Sequence, residues 1–203
     1  KAQLLFMDLL KERAETGRVY IMNIDHCNTH SSFKDKVYMS NLCQEITLPT
    51  KPIQHIDDDD GEIALCILSA VNLGLIRDKT DLEELCDLSV RALDEIIDYQ
   101  EYPVEAARIS TESRRSLGVG FIGLAHYLAK NHVKYDDKEA LTLVDEVTEA
   151  FQYYLLKASN TLAQEKGKCD WFDKTKYSDG ILPIDTYKKD LDKIVKRKLS
   201  YDW

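Results

Sequence analysis

The sequence predicts part of an α/β fold with a substantial helical portion, and three observations support this prediction. Several long segments place apolar side chains at helical spacing, while the short run RVYIMNID (residues 18–25) has the composition of a strand. The predicted order along the chain is helix, strand, loop, strand-like segment and then several helices. The 203 residues suffice for one domain with a core, so we expect residues 1–203 to form a single partial domain.

Composition argues against two classes of function. The net charge is -9 and no basic stripe follows any predicted element, which argues against a nucleic-acid surface. No apolar run reaches membrane-spanning length and no signal peptide opens the chain. The five cysteines are odd in number and widely spaced, which favours reduced thiols in a cytoplasmic protein. The chain begins with KAQLLF and ends with LSYDW, so we expect a piece of a larger polypeptide.

The first elements are predicted from the hydrophobic pattern and from the glycine and proline residues that interrupt it. A helix is predicted over residues 2–15 and ends at Gly17, before the strand already described. Residues 26–36 are predicted to be a loop. Residues 39–48 are predicted to be extended, and the prolines that follow end this segment.

The acidic segment HIDDDDGE (residues 55–62) is predicted to be a solvated turn. A Ca²⁺ site is the alternative, but the spacing lacks the twelve-residue loop pattern.

The rest of the chain is predicted to be mostly helical. Its helical segments are the very apolar residues 62–75, the amphipathic residues 80–100 with an N-cap at Thr80 or Asp81, residues 114–131, and a long helix over residues 136–167 that ends at Gly167.

Three polar side chains fall at alternate positions in MSNLCQEITLPTKP (residues 39–52). Side chains at i, i+2 and i+4 of an extended strand share one face, so we expect Asn41, Cys43 and Glu45 to project together. A thiol, an amide and a carboxylate are suited to act as hydrogen-atom donor, orienting hydrogen-bonding group and general base. A small buried hydrophobe is the commoner role of a free cysteine, and it remains the alternative at this point.

Several other polar residues receive structural interpretations. A zinc site in DHCNTH (residues 25–30) would need convergent ligands at a recognisable spacing, which the sequence does not show. Cys86 lies on the apolar stripe of a helix and is expected in the core, while Cys169 is expected to be a bystander thiol in a loop. His126 is expected to be an ordinary helix histidine. The glycines of GVGFIG (residues 118–123) lack the strand and acidic residue of a dinucleotide site.

The segment SNLCQEI (residues 40–46) closely resembles the active-site loop in the large, or alpha, subunit of class I (aerobic) ribonucleoside-diphosphate reductases. Leu42 favours this class, because the adenosylcobalamin-dependent relatives typically carry proline there. The resemblance covers essentially the whole chain, and its further motifs are ERAETGRVYIMNIDHCNTH, LPTKP, GEIALC, LSAVNLG, RALDEIIDYQEYP, RRSLGVG, FQYYLLKASN and GILPIDTYKKDLD.

The resemblance implies a fold and a set of site residues. The chain would be part of a ten-stranded α/β barrel, with residues 39–52 as the finger loop inside it. Cys43 would become the thiyl radical that takes the 3′ hydrogen of the ribose, Glu45 would be the base on the 3′ hydroxyl, and Asn41 would hydrogen-bond the substrate. With Leu42 they would form the substrate-binding segment. Cys66, in GEIALC, would be one of two redox-active thiols, and its partner thiol would lie outside this chain.

The resemblance also implies partners. They are a ribonucleoside diphosphate substrate, a small subunit whose di-metal centre supplies the radical, a thioredoxin- or glutaredoxin-type reductant, the remaining parts of the large subunit and a large-subunit dimer. We expect no metal or cofactor bound by this chain itself, and we expect the allosteric sites to lie outside it. Two alternatives stay open: a structural piece of a split barrel that is inactive alone, and a plain helical interaction module.

Overall fold

The computed structural model describes residues 1–187 and 199–203, and helices dominate the described part. The last motif, GILPIDTYKKDLD, runs past residue 187 and lies partly outside it. The elements in chain order are α1 (Ala2–Thr16), α2 (Ile24–His30), β1 (Ile67–Asn72), α3 (Lys79–Tyr99), α4 (Glu105–Arg114), β2 (Leu117–Ile122), α5 (Leu124–Lys130) and α6 (Lys138–Lys166), with short 3₁₀ turns at Leu73–Leu75, Phe172–Lys174 and Lys176–Asp179.

The two strands lie parallel, in a register that runs from Ile67 opposite Leu117 to Asn72 opposite Ile122. Parallel neighbours need a long crossover connection, and α3 and α4 supply it. The main core lies where β1 and α3 meet α6. Its buried members are Val71, Leu73, Ile76, Leu82, Cys86, Val147, Ala150 and Phe151. An α/β architecture with a large helical share is therefore confirmed.

The predicted strand at residues 18–25 is wrong. Residues 18–23 have no regular structure, and α2 begins at Ile24, inside the predicted strand, and continues into the predicted loop. The Asn28 side chain explains part of this outcome. Its amide donates to the carbonyls of Ile24 and Val37, and its oxygen accepts from the Val37 N–H at 2.8 Å. These bonds tie α2 to the following segment, where Val37 is fully buried.

The predicted helix at residues 62–75 is also wrong, because residues 67–72 form β1 and residues 73–75 form a 3₁₀ turn. A short apolar run fits a buried strand as well as a helix, and periodicity alone does not separate them. The same ambiguity affects residues 114–131, which were predicted to be one helix. Their first part forms β2, so the prediction is wrong there, and their second part forms α5, where it is correct. The glycines of GVGFIG therefore lie in and just after a strand.

The long helices agree well with prediction. α1 ends at Gly17, which has a φ of 67°, and α6 ends at Gly167. α3 matches residues 80–100 closely, but its N-cap is Asp78 and neither Thr80 nor Asp81, because the Asp78 carboxylate accepts from both of their N–H groups. α4 was not predicted.

Candidate functional site

The tip of the loop at residues 39–52 is a tight turn. The Gln44 N–H donates to the Asn41 carbonyl at 3.1 Å, and Gln44 has a φ of 65°. The Asn41 side-chain oxygen also accepts from the Ile46 N–H at 3.0 Å, and the Ser40 hydroxyl donates to the Ile46 carbonyl at 2.8 Å. These hydrogen bonds, all between residues 40–46, hold the turn closed.

The prediction that residues 39–48 form one extended segment is therefore wrong at its centre. A turn at residues 41–44 interrupts the period-two alternation, so shared orientation of Asn41, Cys43 and Glu45 no longer follows from spacing. Asparagine side chains commonly bond nearby backbone groups and compete with extended structure in this way. Asn41, Leu42, Cys43 and Glu45 are all exposed.

Cys66 lies immediately before β1 and is half-buried. Burial raises the pKa of the Cys66 thiol, and the negative charge of Glu45 raises that pKa further. Glu45 therefore lies near enough to Cys66 for its charge to act on the thiol. One residue of the loop tip is therefore coupled electrostatically to the predicted redox thiol.

The segment between the loop and Cys66 is anchored at two places. Lys51 and Glu62 exchange both backbone hydrogen bonds, at 3.1 and 3.0 Å, which closes the acidic loop between them. The Ile63 N–H then donates to the Ala106 carbonyl of α4 at 3.2 Å. The chain is therefore bonded to α4 at Ile63, three residues before Cys66.

A buried arginine at the end of α4 joins the two sides of the loop. The Arg114 side chain is 3% exposed, and its Nη2 donates to carboxylate oxygens of Asp35 and Glu62, each at 2.7 Å. The indole ring of Trp171 lies 4.7 Å from the guanidinium carbon. Asp35 precedes the loop and Glu62 follows it. Arg114 was not predicted to be important, since RRSLGVG shows a basic pair without revealing its partners.

The structure also shows where the other residues discussed in the sequence lie. Cys86 is fully buried in the core, as predicted, and burial raises its pKa to about 12. Cys169 lies in the loop after α6, and His126 is exposed on α5. All five cysteines are free. Within residues 1–187 and 199–203, no cluster of three metal-ligating side chains occurs, either in DHCNTH or in the acidic loop.

The fold and loop together define a partial α/β domain that presents one cysteine on a turn and a second beside a parallel strand pair. The sequence model of the ribonucleotide reductase barrel domain matches residues 1–203, and the chain belongs to this family. The expected partial α/β barrel is therefore confirmed.

Curated relatives match over nearly all of this chain. The ribonucleoside-diphosphate reductase subunit alpha of Haemophilus influenzae is 59% identical, and ribonucleoside-diphosphate reductase 1 subunit alpha of Escherichia coli K12 is 57% identical. The ribonucleoside-diphosphate reductase subunit alpha of Enterobacteria phage T4 is 42% identical. Each match covers 100% of this chain and 27% of the relative. The chain thus spans about a quarter of the length of these relatives. In the described part, no helix is both long and apolar enough to cross a membrane.

Proposed function

We propose that this chain supplies the finger loop and one redox thiol of a ribonucleoside-diphosphate reductase large subunit, which makes DNA precursors from ribonucleoside diphosphates. The observation that supports this most directly is the electrostatic effect of Glu45, on the loop tip, which raises the pKa of Cys66. Family membership supports the reaction, and the electrostatic effect is what we expect if the two implied residues act at one site.

The proposed steps involve one ribose, three thiols and the Glu45 carboxylate. Cys43, as a thiyl, takes the hydrogen atom from C3′, and Glu45 takes the proton of the 3′ hydroxyl. A proton from one of the two reducing thiols lets the 2′ hydroxyl leave as water. Cys66 and a partner thiol outside this chain then supply two electrons and the second proton, which form the new C2′–H bond, and become a disulfide. Glu45 returns its proton to the 3′ oxygen. Cys43 then returns the hydrogen atom to C3′. Asn41 and Leu42 contact the substrate in this proposal, and a thioredoxin- or glutaredoxin-type protein reduces the disulfide.

The exposure of the loop tip bears on what else this chemistry requires. A thiyl radical needs a site closed to water, yet Cys43 is exposed in this chain. We therefore propose that the remaining length of the large subunit encloses the loop. A small, di-metal subunit as the radical source and a large-subunit dimer belong to the same proposal. The chain by itself would then be inactive. The alternative hypothesis, a structural piece of a split barrel, also predicts an inactive chain.

Two substitutions in a reconstituted reductase test the roles. Cys43→Ser removes the thiol and is expected to abolish turnover. Glu45→Gln keeps the shape but removes the base, so turnover should fall on the order of 10²- to 10⁴-fold while substrate binding largely survives. Asp57→Asn, in the exposed acidic loop, is the matched control and should retain turnover. Near-normal turnover of Cys43→Ser would favour a plain interaction module instead.

A further inference from the structure

The two glycines of β2 have different surroundings. Gly118 and Gly120 are two residues apart, so a side chain at either would lie on the same face of the strand. A Cβ built on Gly118 would lie 2.8 Å from the Cys66 Sγ and 2.4 Å from the Leu68 Cδ2, whereas one built on Gly120 has nothing within 4 Å. Cβ contacts below 3.0 Å essentially never occur, so a side chain at position 118 would force a neighbour to move.

Backbone conformation does not account for the glycine at this position. Gly118 lies within β2, opposite Leu68 in the parallel register, and its φ is not in the positive range. An alanine would therefore fit the backbone. The conflict is confined to the ends of two side chains, and side chains relieve such conflicts by changing rotamer.

The two affected side chains differ in what their movement would change. Leu68 is 60% exposed, so it can turn toward solvent at little cost. The Cys66 sulfur is half-buried and lies against the space that Gly118 leaves open. The position of this sulfur decides which thiol it can meet, because disulfide exchange needs a specific geometry between the two sulfurs.

We infer that Gly118 is a positioning residue whose missing side chain leaves the space that the Cys66 sulfur occupies, and that it thereby directs this thiol for disulfide formation. This inference rests on the redox role given to Cys66 in the proposed function. A methyl group at position 118 displaces the sulfur from the strand surface into a more exposed rotamer. The thiol then reacts faster with a small reagent but is misdirected for its partner.

The first experiment measures, in the large subunit of the reconstituted reductase, the alkylation rate of each cysteine of these 203 residues with iodoacetamide at pH 8, read by peptide mass spectrometry. Gly118→Ala should raise the rate at Cys66 on the order of three- to tenfold, because the displaced thiol loses part of its desolvation. Gly120→Ala, the matched control, should leave that rate unchanged, and Cys43 serves as an internal reference. Equal Cys66 rates in the two alanine variants would overturn the inference.

A double variant separates the two contacts. Gly118→Ala combined with Leu68→Ala relieves the clash with Leu68 and keeps the clash with Cys66, so it also guards against loss of folding in the single variant. Its Cys66 rate should remain raised. A return to the wild-type rate would show that the effect passes through Leu68, and the inference would then be wrong.

Turnover of the reconstituted reductase distinguishes this inference from the proposed function. Cys66→Ser should abolish turnover with a dithiol reductant, and Gly118→Ala should lower it on the order of 10- to 100-fold, while Gly120→Ala retains it. An inactive Cys66→Ser with a fully active Gly118→Ala would contradict the positioning role alone. An active Cys66→Ser would contradict the redox role in the proposed function.

Discussion

At the scale of single residues, two effects act on the pKa of the Cys66 thiol. Its half-buried position and the Glu45 carboxylate both raise its pKa, in that order of size. A raised pKa keeps the thiol protonated near neutral pH. This state suits the proposed role, because a thiol that reduces the ribose must give up a proton as well as an electron.

The Glu45→Gln variant tests this electrostatic link without any turnover. Removing the negative charge stabilises the Cys66 thiolate, so the pKa of Cys66 should fall, while burial should still hold it above the ordinary cysteine value. The pH dependence of Cys66 alkylation measures this shift, and the profile should move to lower pH. Glu139→Gln, at the start of α6, is the control, because Glu139 is not among the groups that shift this pKa. An unmoved profile in Glu45→Gln would show that the two groups are not close in solution.

The sequence suggested the residues of the candidate site, but it did not reveal the geometry of the loop that carries them. Asn41, Cys43, Glu45 and Cys66 were identified through a resemblance, and their roles stay predictions. The turn at the loop tip was missed because alternate spacing was assumed to mean an extended strand. The hydrogen bond that the Asn41 side chain accepts from the Ile46 N–H depends on a backbone conformation that spacing does not report. Cys86 was placed correctly, because an apolar stripe on a helix does report burial.

At the scale of elements, α4 links the loop to the strands, and Arg114 is its principal contact. The guanidinium is buried and joins Asp35 and Glu62, whose side chains are 39% and 14% exposed. Such a network connects two segments that are far apart in sequence. The sequence of α4 alone does not reveal this network, because both carboxylates lie outside the helix.

Replacing Arg114 with Met should therefore destabilise the chain strongly. The substitution keeps most of the apolar stem but leaves the partly buried Glu62 carboxylate without its cation, which costs about 3 kcal/mol of unfolding free energy. Urea denaturation measures this change. Arg108→Gln, also on α4, is the control, because Arg108 pairs with Glu105 and Glu112 at the surface and should cost about 0–1 kcal/mol. Similar losses in the two variants would contradict the role given to Arg114.

The N-terminus of α3 provides a smaller, independent prediction. Asp78 accepts from the Thr80 N–H at 2.8 Å and from the Asp81 N–H at 3.3 Å, so Asp78→Ala removes the cap and should cost about 1 kcal/mol. Thr80→Ala should change stability by less than about 0.5 kcal/mol, because Thr80 is an exposed helical residue. Thermal melts of both variants measure these losses of stability. A larger loss in Thr80→Ala than in Asp78→Ala would instead support Thr80 as the N-cap, as the sequence suggested.

Long amphipathic helices were predictable and short strands were not, for a physical reason. α3 and α6 bury one face each, so their apolar period is visible in the sequence. β1 and β2 belong to a parallel pair, whose apolar run shows no alternation and matches a buried helix equally well. Only their mutual pairing identifies them as strands, and pairing is a property of two distant segments.

At the scale of the whole molecule, this chain leaves apolar surface uncovered. Every residue of α1 is exposed, and six of its large apolar side chains are between 38% and 70% exposed: Leu4, Leu5, Phe6, Met7, Leu9 and Leu10. The two-stranded sheet has an open edge on each side within the described residues. Surfaces of this kind are normally covered by other protein, which agrees with a chain that spans a quarter of its relatives' length.

The isolated chain should therefore be marginally stable or self-associate. A helix of 15 residues that buries nothing is marginal in water, and contact between two copies of α1 would cover its apolar side chains. In sedimentation velocity, the average sedimentation coefficient should rise with concentration. Substituting Leu5 and Leu9 together by Lys should weaken this dependence, because both side chains belong to the exposed apolar surface of α1.

The control is Leu141→Lys on α6, where a single leucine is 74% exposed and lies outside α1. This change should leave association as it is in the unsubstituted chain, because the apolar surface of α1 is intact. If the unsubstituted chain instead sediments as one monodisperse monomer and melts cooperatively at high temperature, α1 does not act as an open apolar surface. The proposal that missing parts of the large subunit must cover this chain would then lose its physical basis, since the chain would be stable and separate without them.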